Sequence, residues 1–149
     1  MKVDNLHDGA VSRQATGRLV IETRGPGFTE ITHAVSQWAT GTGFRHGLLV
    51  AFCRHTTASL TVQENADPDV RADLVAALDG LAPRHRGYVH GTEGLDDMPA
   101  HIRTMLTDVS VAIPLLDSRL ALGTWQGLYL VEHRDRPHRR EVLLQLLGE

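Results

Sequence analysis

The segment from Arg54 to Asp73, RHTTASLTVQENADPDVRAD, concentrates groups that can do chemistry. One histidine, the hydroxyls and amide of Thr56, Thr57, Ser59, Thr61 and Gln63, and several carboxylates follow directly on the apolar run Leu48 to Cys53. So many polar groups at the end of a buried strand carry a desolvation cost unless they meet one another, a metal or a ligand. A second patch, HGTEGLDDMPAHIR from His90 to Arg103, repeats the composition. Together the two patches read as the two walls of one site.

Each residue has a plain reading beside the chemical one. His55, where a buried strand emerges, can ligate a metal, move a proton or bind phosphate, or can simply bond neighbouring hydroxyls. Thr56, Thr57 and Ser59 form either a turn held by side-chain-to-backbone bonds or a cradle for anionic oxygens. Asp67 has a sufficient task as the cap of a helix, but Glu64 and Asn65 do not. Alternation puts Glu64 on the face of Val62, and an inward carboxylate needs a metal, a histidine or a cation. His90 and His101 flank Glu93, Asp96 and Asp97. Pro99 at a helix start would set His101 in the first turn, where the helix dipole disfavours an imidazolium and leaves the neutral form that ligates metals. The spacing of these two histidines is no standard zinc signature. Trp125 and Gln126, between Gly123 and Gly127, either fill a hairpin core or wall a flat heteroaromatic ligand. Glu132 and Arg134 share one strand face and His133 takes the other.

These groups need elements to position them. Residues 1–16 are polar and patternless and are expected to be a loose start or an edge strand, with a single domain over 17–149. Arg18 to Arg24 reads as a strand and Gly25 to Phe28 as a turn. A helix capped by Thr29 follows, with Ile31, Val35 and Trp38 as its stripe, ending near Gly41 and Gly43. Leu48 to Arg54 is an apolar strand, with Ser59 to Gln63 as its expected antiparallel partner. Asp67-Pro68 opens a second helix, whose inward face would be Val70, Leu74, Ala77, Leu78 and Leu81, and Pro83 ends it. Met98 to Leu106 reads as a third helix. Val109 to Leu116, Arg119 to Leu122, Gly127 to His133 and Glu141 to Leu147 read as strands, with a turn at Asp117-Ser118. About seven strands and three helices, with the strands gathered late in the chain, predict an α+β domain with a large mixed, mostly antiparallel sheet.

Composition narrows the function. The 149 residues carry 42 % apolar and 22 % charged side chains and a net charge of −3, ordinary values for one globular domain. No basic face is available for nucleic acid. Nine histidines stand out. The lone Cys53 excludes an intrachain disulfide framework and suits a reducing compartment. No signal-peptide pattern or long apolar run occurs, so a soluble cytoplasmic protein with no membrane partner is expected. Walker, GxGxxG, GxSxG and CxxC motifs are absent.

Four co-ordered motifs, HTTASLTVQENADPDVRADL, HGTEGLDDMPAHI, AIPLLDSRLALGTWQGLYLVEHR and RREVLLQLLGE, resemble the YjbQ family over about Arg18 to Glu149. Gln63 stands where that family usually has Asn, and Ser118 where Gly is expected. The resemblance implies a compact α+β homotrimer with its polar cavity near the subunit contacts. It also implies a weak thiamine-phosphate synthase activity, which joins a pyrimidine diphosphate to a thiazole phosphate and releases pyrophosphate, the physiological reaction being open. The family's histidines fall on His55, His90 and His101, and its acidic loop on Asp96 and Asp97. The expected site follows. Glu64, His55, Ser59 and Asp67 are its catalytic groups. Thr56, Thr57, Asn65, Arg103, Trp125 and Gln126 bind a small phosphorylated heterocycle. His55, His90, His101 and Asp97 hold a divalent metal: zinc if the imidazoles decide, magnesium if pyrophosphate does. The alternative is a non-catalytic trimer that binds a phosphometabolite or a metal.

Overall fold

The computed structural model describes residues 1–149, with eight strands and three helices in the order β1 (Arg13–Glu22), β2 (Gly27–Glu30), α1 (Thr32–Gly41), β3 (Gly47–Cys53), β4 (Ala58–Glu64), α2 (Pro68–Leu81), α3 (Asp97–Leu106), β5 (Ser110–Leu116), β6 (Arg119–Leu120), β7 (Gln126–Glu132) and β8 (Arg139–Gly148). The α+β class stands. The strands divide between two sheets, ordered β1-β8-β3-β5-β6 and β2-β7-β4, and every pairing in both is antiparallel. No helix is long and apolar enough to cross a membrane.

The sheets face each other across one core. Leu49 and Ala51 of β3, Ile113 and Leu115 of β5, and Val142, Leu144 and Leu146 of β8 meet Leu60 of β4 and Leu128 and Leu130 of β7. Val35 and Ala39 of α1 join the same core, beside Phe44. Each strand contributes alternate residues, as the period of two requires. β7 is buried along nearly its whole length. Leu128 and Leu130 face the core, while Arg71 of α2 reaches Tyr129, and Val131 shares a small cavity with Val75 and Leu78 of α2 and with Arg103 of α3.

Several expectations shift. β1 begins at Arg13, within the stretch read as a loose start or an edge strand, and is an edge strand: residues 13–22 pair with β8 over ten positions. Thr29 does not cap α1. It lies in β2, and the cap position is Ile31, which makes no side-chain cap bond. β4 is not the ladder partner of β3. Both edges of β3 are already taken by β5 and β8, so residues 54–57 carry the chain across to the other sheet, where β4 pairs with β7. α2 does have Asp67 as its cap, accepting from the Asp69 N–H at 2.9 Å, and Pro68 in its first turn. Its expected inward face is only half-buried, and Ala77 and Leu81 are exposed.

Two places need special backbone. Gly47 and Gly148 pair where β3 and β8 meet, and a Cβ on either would strike a carbonyl oxygen at about 2 Å. The β5–β6 hairpin turns through Asp117 and Ser118 with φ of 47° and 65°, the positive pair of a type I′ turn. An L side chain there is strained by about 1 kcal/mol. Ser118→Gly is therefore expected to raise the thermal midpoint by about 2–4 °C, read by calorimetry. An unchanged or lower midpoint would contradict this reading of the turn.

Candidate metal centre

α3 begins at Asp97, and His101 follows four residues later on the same helix face. His101 is thus one turn into the helix and not in its first turn, because the helix starts two residues before Pro99. Asp97 is only 1 % exposed, and a carboxylate so buried needs compensation. Compensation comes from both sides. Arg134, just past β7, donates from Nη1 to Asp97 Oδ1, from Nε to Asp96 Oδ2 at 2.8 Å, and from Nη2 to the Glu93 carbonyl at 2.9 Å. One guanidinium thereby ties the acidic loop to the first turn of α3. Burial alone would raise the Asp96 carboxyl, but the Asp135 N–H and Arg134 outweigh it and hold the group below the usual carboxylate range.

The other oxygen, Asp97 Oδ2, lies 2.6 Å from His90 Nε2 and 3.5 Å from His101 Nε2. The two rings meet edge to face with centroids 5.7 Å apart. One donor atom from each of His90, Asp97 and His101 falls within 4.8 Å of the others. Two imidazoles and a carboxylate converging on one point fit a divalent transition ion, which accepts this donor set more readily than magnesium does. The grip of Arg134 on Asp97 Oδ1 is the kind of outer bond that orients a ligating carboxylate.

Cavities lie on both sides of the pair of imidazoles. One, of about 470 Å³, is lined by His101 with His55, Thr56, Thr104, Met105, Thr107 and Val109. The other, of about 290 Å³, is lined by His90 among Arg84, Tyr88 and Met98. His55 reaches the first cavity but not the ligand cluster. Its Nε2 accepts the Glu141 backbone N–H at 2.8 Å, so that lone pair is spent. Burial, aided by Arg140, lowers its pKa and keeps the ring neutral. The expected three-histidine site is corrected to His90, His101 and Asp97.

A family match described as UPF0047 protein YjbQ-like covers residues 18–149. The chain is 48 % identical to UPF0047 protein sll1880 of Synechocystis over 97 % of its own length and 99 % of the relative's. It belongs to the YjbQ family. UPF0047 protein YjbQ of Salmonella typhimurium is 42 % identical over 83 % of this chain and 90 % of its own. Among solved structures, the conserved hypothetical protein TT1486 of Thermus thermophilus is 42 % identical, with a TM-score of 0.79 over 88 % of this chain and 99 % of that one. A YjbQ/UPF0047 protein of Clostridium acetobutylicum is 38 % identical, with a TM-score of 0.81 over 87 % and 98 %.

The remaining candidate residues of this YjbQ-family chain divide by position along β4. At its start, Ser59 is fully buried and bonds His133, and Thr57 is held by Arg140. Arg103 is buried, with Nη2 held by Asp79 Oδ1 at 2.6 Å and the Ala82 carbonyl at 3.2 Å and its buried Nε unpartnered, and it does not line the His55–His101 cavity. At the far end, Glu64 lies five residues beyond Ser59, roughly 17 Å along an extended strand. There Glu64, Gln126 and a 66 %-exposed Trp125 line an open groove of about 580 Å³, with Asn65 beside it donating to the Gln126 carbonyl. Trp125 therefore fills no core. Asp67 is occupied as the α2 cap. The two patches meet at one cavity, through His55 and Thr56 of the first and His101 of the second, while Glu64 at the far end of β4 lies in a separate groove.

Sequence reasoning gave no role to the buried Glu132–Arg140 ion pair. Alternation puts Glu132 on the core face of β7 and Arg140 on the core face of β8, and they pair across the two sheets. Thr23 Oγ1 donates to Glu132 at 2.7 Å, and the backbone N–H groups of His133 and Arg134 donate at 3.0 and 2.9 Å. Burial opposes ionisation of Glu132, but Arg140 and these donors prevail and lower its pKa. The signal was a charged residue at an inward position on each of two apolar strands.

His133 carries a stability prediction. Burial, reinforced by Arg103, pushes its pKa down to about 4 from 6.5. Between those values the unfolded chain binds more protons than the folded one, so stability is full above about pH 6.5 and is lost as the pH falls toward 4. The shift corresponds to roughly 3 kcal/mol across the window. In urea titrations, His133→Asn should be less stable than wild type near neutrality, and the gap should shrink on acidification. A gap that stays constant from pH 7 to pH 4 would contradict the assignment.

Proposed function

We propose that this protein is a cytoplasmic, metal-dependent enzyme acting on a small phosphorylated heterocycle, with thiamine-phosphate synthase-type joining as the reaction to test first. The convergence of His90, Asp97 and His101 beside a hydroxyl-lined cavity carries the reading. A bound divalent ion would neutralise charge on a leaving pyrophosphate and polarise an attached oxygen. The chain's own groups do the rest. Arg134 fixes Asp97, so that both imidazoles keep their direction. His55, whose Nε2 accepts the Glu141 N–H, offers the cavity an imidazole whose charged form burial disfavours. Thr56 offers its hydroxyl to phosphate oxygens. In the joining reaction, the bond between the pyrimidine-borne carbon and the pyrophosphate oxygen breaks, the electron pair leaves on oxygen, and the thiazole ring nitrogen forms the new bond to that carbon with its own lone pair, becoming a thiazolium without loss of a proton.

Glu64 enters from a neighbour in this reading. Its carboxylate makes no ion pair and sits in an open groove too far along β4 to reach its own His101. A head-to-tail homotrimer sets that groove against the next chain's histidines and closes into a ring. The carboxylate then faces the carbon from which pyrophosphate leaves and stabilises the positive charge that develops there, an effect worth about a hundredfold or more in rate.

The test uses His101→Ala and Glu64→Gln, separately and co-expressed, with a pyrimidine diphosphate and a thiazole phosphate as substrates and pyrophosphate release as the readout. Each variant alone should lose about a hundredfold or more. Random mixing should restore about a quarter of wild-type turnover, since a mixed cyclic trimer regains one intact junction. No recovery on mixing would overturn the shared site. No turnover by the wild type with zinc, manganese or magnesium would overturn the enzyme reading in favour of a binding protein.

A further inference from the structure

The site described above leaves one buried polar chain without a task. Ser59 Oγ lies 2.8 Å from His133 Nε2 and 2.7 Å from Thr107 Oγ1. Ser59 and His133 are sealed in the protein, whereas Thr107, just after α3, lines the cavity shared by His55 and His101. The chain therefore runs from the interior to the cavity wall. The Thr107 hydroxyl also donates to the Arg103 carbonyl at 2.8 Å, and the same carbonyl already accepts the Thr107 backbone N–H at 3.1 Å. That oxygen stays satisfied if the hydroxyl proton turns away. Thr107 thus has a proton it can offer elsewhere at little cost.

Direction decides what the chain can do. A serine hydroxyl has one proton and two neighbours here, so it donates to one and accepts from the other. His133 is kept neutral by burial and by Arg103, so its ring has one N–H and one lone pair. With the proton on Nε2, every bond points outward: His133 Nε2–H to Ser59 Oγ, Ser59 O–H to Thr107 Oγ1, and Thr107 O–H into the cavity. A hydroxyl that receives a hydrogen bond is a stronger donor than an isolated one.

We infer that Thr107 is an oriented hydrogen-bond donor for a phosphate-class oxygen in the His55–His101 cavity, and that Ser59 and His133 are the positioning residues that aim it. The inference rests on the reading of that cavity as a phosphate site. No covalent step is involved. The relay turns one hydroxyl from the Arg103 carbonyl to the ligand, and no proton leaves the chain.

Inorganic pyrophosphate is the probe, titrated by calorimetry into the full chain with zinc present, alongside nitrogen-15 spectra of the histidine rings. Thr107→Val keeps the shape and removes the donor, and should weaken pyrophosphate about tenfold. Thr107→Ser should remain close to wild type, which separates loss of the hydroxyl from loss of folding. Adding Ser59→Ala to Thr107→Val should weaken binding little further, because the two hydroxyls act as one unit. At saturating pyrophosphate the His133 Nε2 signal should move in wild type and stay still in Thr107→Val. Equal affinity for wild type and Thr107→Val, or a His133 signal unmoved by bound pyrophosphate, would overturn the relay. If His101→Ala then still lost binding, the phosphate reading would survive without the relay. Failure of the wild type to bind pyrophosphate at all would overturn both.

Discussion

A carboxylate with almost no exposure, on the first residue of a helix, is the constraint on which this site depends. Asp97 has to be compensated, and both of its oxygens are. Arg134 takes one, and the imidazoles of His90 and His101 surround the other. Removing one partner of such a buried set would leave an unpaired charge, which typically costs about 3–5 kcal/mol. The arrangement therefore fixes three things at once: where α3 begins, how the acidic loop folds over it, and which way both imidazoles point. A metal-ligand geometry emerges from a problem of burial.

Arg134 can perform this role only if the end of β7 is itself held in place. The Glu132–Arg140 pair does that. It sits where the core faces of the two sheets approach, bridging β7 and β8 with Thr23 and Thr57 closing the network. The chain then alternates outward from a single strand end. Glu132 ties the sheets together, His133 reaches Ser59 on the helix side, and Arg134 reaches Asp96 and Asp97. Three consecutive residues thus connect the core, the buried hydroxyl relay and the candidate metal centre. A displacement of β7 would disturb all three.

Much of this was legible from local chemistry. The Asp67-Pro68 helix start, the Asp117-Ser118 turn and the late strands depend on neighbouring residues alone, and the structure has them where the sequence reading put them to within a few positions. The approach of His90 and His101 was legible because the acidic loop and Pro99 lie between them. What escaped depends on partners distant in sequence. β1 extends to Arg13 only because β8, more than a hundred residues away, provides its ladder. The apparent β3–β4 hairpin fails because β5 and β8 occupy both edges of β3. His55 drops out of the ligand set because Glu141 of β8 takes its free nitrogen. Glu64 drops out of the same-chain site because it ends β4, five residues beyond Ser59, in the open groove with Trp125. Motifs can show which residues are available for chemistry, but the long-range ladders decide which of them meet.

The central claim is that His90, Asp97 and His101 hold a transition metal ion. The direct measurement is the metal content of untagged protein dialysed against zinc and then against metal-free buffer, wild type beside His101→Ala. The account predicts about one zinc per chain in the wild type, the usual content of a single-ion site, and little or none in the variant. Wild-type protein that retains no transition metal, or a variant that retains as much as wild type, would contradict it.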